Sequence, residues 1–116
     1  MRTLVVRDAY LLTKLAGVGF EDRSYRLEKG VPVALCTACD YEGGEKMLRR
    51  AVYAVVVVDR WRHLSLQERV KPVWRYRSYF RYIVPVDPPM RLSAAAGQGL
   101  QHMSARDVRR LRRRIT

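Results

Sequence analysis

The sequence predicts an α+β protein: a mostly antiparallel or mixed sheet with a short N-terminal helix and a basic C-terminal helix. Three observations lead there. Val73–Val84 alternates aromatic and basic residues with a period of two, the pattern of a strand with two unlike faces. Ala51–Val58 is an unbroken apolar run rich in valine, as expected of a strand buried on both sides. Ser104 and Asp107 approximate a capping box, and Val108, Leu111 and Ile115 then recur at helical spacing.

The remaining elements follow in chain order. Thr3–Arg7 is short and apolar and reads as a strand. Asp8 can cap a helix through its side-chain oxygen, and Ala9–Ala16 places Leu11, Leu12 and Leu15 on one helical face. Gly17 and Gly19 supply the stop. Glu21–Arg23 reads as a polar turn, Ser24–Leu27 as extended or irregular, and Glu28-Lys29-Gly30 as a second turn. Val31–Cys39 is a strand. The paired glycines of Asp40–Glu45 make that segment a tight turn. Glu45–Arg50 fits either strand or helix. Leu64–Val70 is one or two helical turns that stop before Pro72. Pro85, Pro88 and Pro89 are expected to end the sheet. The Ala-, Ser- and Gly-rich Arg91–Leu100 reads as loop or linker. Residues 1–116 therefore form one domain, with a flexible stretch at 88–103.

The formal charge is +12, from 23 basic and 11 acidic side chains. Residues 1–48 are neutral, with seven of each, so the whole excess lies in residues 49–116. A field of that sign attracts polyanions such as nucleic acid. The longest apolar run has eight residues, against the ~20 of a spanning helix. With no signal-peptide layout at the start, a cytoplasmic protein without a membrane partner is expected. The chain has no asparagine and only three glutamines, a scarcity that points to a thermophilic, archaeal source.

No complete active site is legible. Cys36 and Cys39 have metal or redox spacing, but they sit in a predicted strand and read as small buried hydrophobes. His63, in the basic stretch with Arg60 and Arg62, and His102 lack neighbours that would complete an acid–base set. No phosphate-binding glycine loop or nucleophile elbow is present. The chain is therefore expected to be non-catalytic, with no metal or cofactor.

Two basic elements are candidates for nucleic acid. In Val73–Val84 the aromatics Trp74, Tyr76, Phe80 and Tyr82 share one face, and Arg75, Arg77 and Arg81 share the other. Either the aromatics stack bases while the arginines hold phosphate, or the aromatics are core. On both readings the arginines are exposed and open to phosphate. The last helix adds Arg109, Arg110, Arg112 and Arg113, beside Arg106 and Arg114, around the Val108–Leu111–Ile115 stripe.

Asp40, Glu42 and Glu45 gather three carboxylates in one turn of a basic chain. Such a turn is either a solvated hairpin tip or a plug for a basic pocket on another protein. The strand and turn Val31-Pro-Val-Ala-Leu-Cys-Thr-Ala-Cys-Asp-Tyr-Glu-Gly-Gly-Glu-Lys resemble the apolar strand and acidic loop of archaeal tRNA-splicing endonuclease subunits. The resemblance covers roughly residues 31–58, with the opening Leu4–Leu15 as a second candidate stretch. It implies a small structural chain in a heterotetramer, of the type found in crenarchaea. There the acidic loop, here Asp40, Glu42 and Glu45, docks on a catalytic endonuclease subunit. The family's catalytic Tyr-His-Lys set has no counterpart here, so the partner would cleave precursor tRNA. The alternative is a stand-alone basic nucleic-acid-binding or ribosome-associated protein.

Overall fold

The computed structural model describes residues 1–6, 19–37, 50–93 and 100–115. They form strands β1 (Arg2–Val6), β2 (Phe20–Arg23), β3 (Pro32–Thr37), β4 (Ala51–His63), β5 (Tyr76–Arg91) and β6 (Leu100–His102), and helix α1 (Ala105–Ile115). The strands make one sheet in the order β2-β5-β4-β3-β1-β6. β1 and β3 run parallel and every other neighbouring pair is antiparallel. The expected mixed sheet and basic C-terminal helix are therefore present. The predicted helix Ala9–Ala16 lies outside the described residues.

The valine run forms the centre of the sheet. Side chains of β4 divide between two apolar clusters, with a register shift between Val52 and Ala54. Ala54, Val56 and Val58 join Val33, Leu35, Leu27 and Phe80. Val52 and Val55 join Ala34, Cys36, Val86, Met90, Leu92 and Leu111. Register enforces this division: Val33 lies opposite Val56 and Ala34 opposite Val55. β-branched residues suit a strand packed on both faces, because their stiff side chains stand up from the pleat.

α1 covers the second cluster through Leu111, which is fully buried, with Ile115 packed beside it. The Ser104 hydroxyl accepts the Asp107 N–H at 3.2 Å, so half of the expected capping box forms. The other half is redirected. The Asp107 carboxylate accepts the Ser93 N–H, at 3.1 and 3.3 Å to its two oxygens, and binds Arg110 Nη1 at 2.8 Å. Burial pushes the Asp107 pKa up, but hydrogen bonds from Ser93, Arg110 and Ser104 outweigh it and hold the carboxyl below its ordinary value. This buried carboxylate fastens α1 to the chain that leaves β5.

Two expectations are corrected. Glu21–Arg23 is not a turn but lies in edge strand β2, with Glu21 opposite Ser78 and Asp22 opposite Arg77. The prolines do not end the sheet, since β5 runs through all three to Arg91. The pairing with β2 stops at Tyr79. Beyond it, among the described residues, β5 is a sheet edge, where a missing N–H costs no ladder bond. Pro88 and Pro89 also sit in a register jump, between Pro85 opposite Ala54 and Met90 opposite Val52. Of the stretch 88–103, residues 88–91 and 100–102 lie in strands β5 and β6, and 94–99 lie outside the described residues.

Candidate nucleic-acid interface

β4 and β5 continue past the apolar clusters, and this extension carries the candidate site. The sequence Asp59-Arg60-Trp61-Arg62-His63 prolongs β4 with the same period-two alternation. Register jumps around Val58 and Arg60 re-aim the side chains there. Arg60 lies opposite Tyr79 and Arg62 opposite Arg77, while Trp61 lies opposite Ser78 and His63 opposite Tyr76. β2 adds Phe20 beside Tyr79 and Asp22 beside Arg77. One face thus collects Arg60, Arg62, Arg77, Tyr79, Phe20 and Asp22. The other collects Trp61, His63, Tyr76, Glu21 and Arg23.

On the first face, arginines cover rings. The Arg60 guanidinium lies 4.2 Å from the Tyr79 ring centroid, and Arg77 lies 4.2 Å from that of Phe20. Arg77 is also clamped by Asp22, with Nε to Oδ1 at 2.8 Å and Nη2 to Oδ2 at 3.0 Å. Arg62 binds Glu68 at 2.6 Å and the Tyr79 hydroxyl. Hydrogen bonds from Arg62 and Ser65 hold Glu68 down to about 2, and the Arg62 bond lowers Tyr79. Arg60 is exposed and, among the described residues, has no carboxylate partner. A guanidinium over a ring face is held without being neutralised and keeps N–H donors for an anion such as phosphate. Arg60 is thus preorganised for an anion.

On the second face, Trp61 and Tyr76 meet edge to face at 5.8 Å, and His63 approaches Tyr76 at 5.3 Å. Arg26 covers Trp61 at 4.5 Å, and Lys71 covers Trp74 at 4.7 Å. Trp61, Trp74 and Tyr76 are half-buried beneath cations, so neither sequence reading holds whole. Only Phe80 of the expected aromatic set is a described core residue. Trp74 and Tyr76 are capped by cations instead of being open to bases, and the Tyr82 side chain is outside the described ones.

The predicted arginines therefore separate. Arg75 is exposed. Arg77 is not open to phosphate, because Asp22 already occupies its fork. Arg81 is exposed at the bulge that interrupts the alternation, since Val57 pairs Tyr82 and Val58 pairs Phe80. Arg109, Arg112 and Arg113 are exposed on α1. Arg110 is spent on Asp107 and on the Arg91 carbonyl, which it reaches at 3.1 Å. Asp40, Glu42 and Glu45 lie outside the described residues. Arg60, Arg26 and Tyr79 are absent from the sequence-derived set. Extending the alternation of Val73–Val84 to its partner segment 59–63 is the signal that finds Arg60.

Cys36 is fully buried, and burial pushes its thiol up to about 12, so it packs as a hydrophobe and carries no thiolate. Cys39 is outside the described residues. Among the described residues, no group of three or more His, Cys, Asp or Glu side chains is arranged to hold a metal ion, and no helix is long and apolar enough to cross a membrane. No protein-family model matches the sequence, and no curated protein matches it either.

Proposed function

We propose that this chain is an RNA-binding protein that grips the phosphate backbone with the sheet extension and α1. The observation that carries the reading is Arg60 stacked on Tyr79, exposed and preorganised, on a chain with a net charge of +12. Arg75, Arg109 and Arg113 are exposed and supply further positive charge. Binding through such contacts is governed by release of counterions from the polyanion.

Fluorescence anisotropy of a labelled RNA across a salt series tests it. Affinity should fall steeply with salt, and Arg60→Ala should shallow the log–log slope by about one. Absence of binding at 50 mM salt, or a salt-independent affinity, would refute the proposal. Assembly with a catalytic tRNA-splicing endonuclease chain is a separate proposal, supported by the sequence of residues 31–46. Its test is neutralisation of Asp40, Glu42 and Glu45 together, which should weaken that assembly.

A further inference from the structure

The hairpin that joins β4 to β5 ends in a compact loop, residues 64–75, with an unusual surface. Its ends are tied by the Leu64 N–H donating to the Arg75 carbonyl at 2.7 Å. Leu64 fills its base and is fully buried. The Arg69 guanidinium holds the loop from within, donating to the Leu64 carbonyl at 3.0 and 3.1 Å and to the Pro72 carbonyl at 3.1 Å. Glu68 accepts from the Ser65 N–H and hydroxyl and from Arg62. A loop so fixed does not fold its apolar side chains inward, and Leu66, Val70 and Val73 stand 68%, 74% and 60% exposed. Compact loops closed at their ends and packed by their own side chains are frequently functional.

We infer that this loop packs Leu66, Val70 and Val73 against unpaired bases, so the protein recognises RNA loops, bulges or ends in preference to continuous duplex. The inference rests on the RNA-binding reading and adds the class of RNA. Charge favours this occupant. Lys71 and Arg75 of the same loop are exposed, and its one carboxylate, Glu68, is already bound by Arg62. Arg60 lies on β4, the strand that leads into this loop. In a closed duplex the base faces are covered by their neighbours, whereas splayed bases offer apolar faces to side chains. A bilayer fits less well, because the nearest large aromatic, Trp74, is half-buried under Lys71 and does not stand at the tip as an interfacial anchor. A second copy would bring +12 against +12.

The test compares a continuous RNA duplex with the same duplex carrying a two-nucleotide bulge that contains 2-aminopurine. Wild-type protein should bind the bulged RNA about tenfold more tightly, the worth of burying roughly 50–60 Å² of apolar surface, and change the 2-aminopurine fluorescence. The variant Leu66→Ser/Val70→Ser/Val73→Ser should bind both RNAs with the wild-type duplex affinity and an unchanged salt slope. These side chains are already in water, so the variant is expected to fold. Equal wild-type affinity for the two RNAs, or a preference retained by the variant, would overturn the inference while leaving phosphate binding intact. Failure to bind either RNA would overturn the RNA-binding reading itself. Tight wild-type binding to vesicles of anionic phospholipid, lost in the variant and unaccompanied by a bulge preference, would assign the loop to a membrane surface instead.

Discussion

Glu21→Gln should stabilise the protein above neutral pH. Glu21 is a buried carboxyl on β2, opposite Ser78, with Arg23 Nη2 at 2.9 Å. Burial raises its pKa from 4.5 to about 7; the adjacent Asp22 charge adds to the rise, and Arg23 opposes it without cancelling it. The folded protein thus keeps a proton that the unfolded chain releases near 4.5. Between those values the native state binds more protons, so stability falls as pH rises. The contribution is complete below 4.5 and is lost as pH passes through about 7. At about 1.4 kcal/mol per pH unit, the ionised carboxylate costs the fold roughly 3 kcal/mol at pH 8. Glutamine keeps the shape and removes the charge, but it leaves Arg23 without its anion, so the net gain should be about 1–3 kcal/mol. Urea unfolding at pH 5 and pH 8 at fixed salt measures it. The variant should match wild type at pH 5 and exceed it at pH 8. A variant no more stable than wild type at pH 8, or a wild type whose stability does not fall between those pH values, would refute the reasoning.

Other substitutions separate structural from binding roles. Arg77→Met leaves the buried Asp22 unpaired and should cost roughly 3–5 kcal/mol in the same unfolding assay, whereas Arg75→Met should stay within about 0.5 kcal/mol yet weaken RNA binding. Asp107→Ala removes the acceptor of Ser93 and Arg110 and should cost about 2–4 kcal/mol, read as loss of helical signal at lower urea. Because the folded pKa of Asp107 is depressed, its contribution is present above the unfolded value and lost as pH falls through the folded one; Asp107→Asn should therefore flatten the acid limb of wild-type stability. Leu111→Ala opens a cavity between α1 and the sheet and should cost about 2–5 kcal/mol.

The parts of the fold governed by local pattern were legible. The β4 run, the α1 stripe and the Ser104 cap each reflect one short-range rule, and each is present. The failures have physical causes. Proline lacks a donor and so suggests a strand end, but topology makes the distal half of β5 an edge among the described residues. Glu21–Arg23 suggests a turn because it is polar. Its charges are in fact matched across the pairing, Asp22 to Arg77, or held beside it, Glu21 to Arg23. The register jumps around Val58 and Arg60 could not be seen in either strand alone, because a bulge is a property of the pair. Arg77 looks open in sequence because Asp22 meets it only across the pairing of β2 with β5, and Arg60 comes into view only when the alternation of β5 is carried to β4.

That contrast bears on how net charge should be used. The described residues contain seven acids, and four of them, Glu21, Asp22, Glu68 and Asp107, each hold one arginine. Pairing leaves the total of +12 untouched but decides where the excess can act. Arg77 and Arg110 each meet a carboxylate within hydrogen-bond distance, so an incoming phosphate must compete with an acid already in place. Arg60 is held by an aromatic face, which orients the cation without neutralising it. An aromatic partner therefore prepares an arginine for an anion, whereas a carboxylate partner occupies it. On that argument the RNA affinity should follow Arg60, which has a ring and no carboxylate, and not Arg77, which has both, although the two lie on the same sheet face.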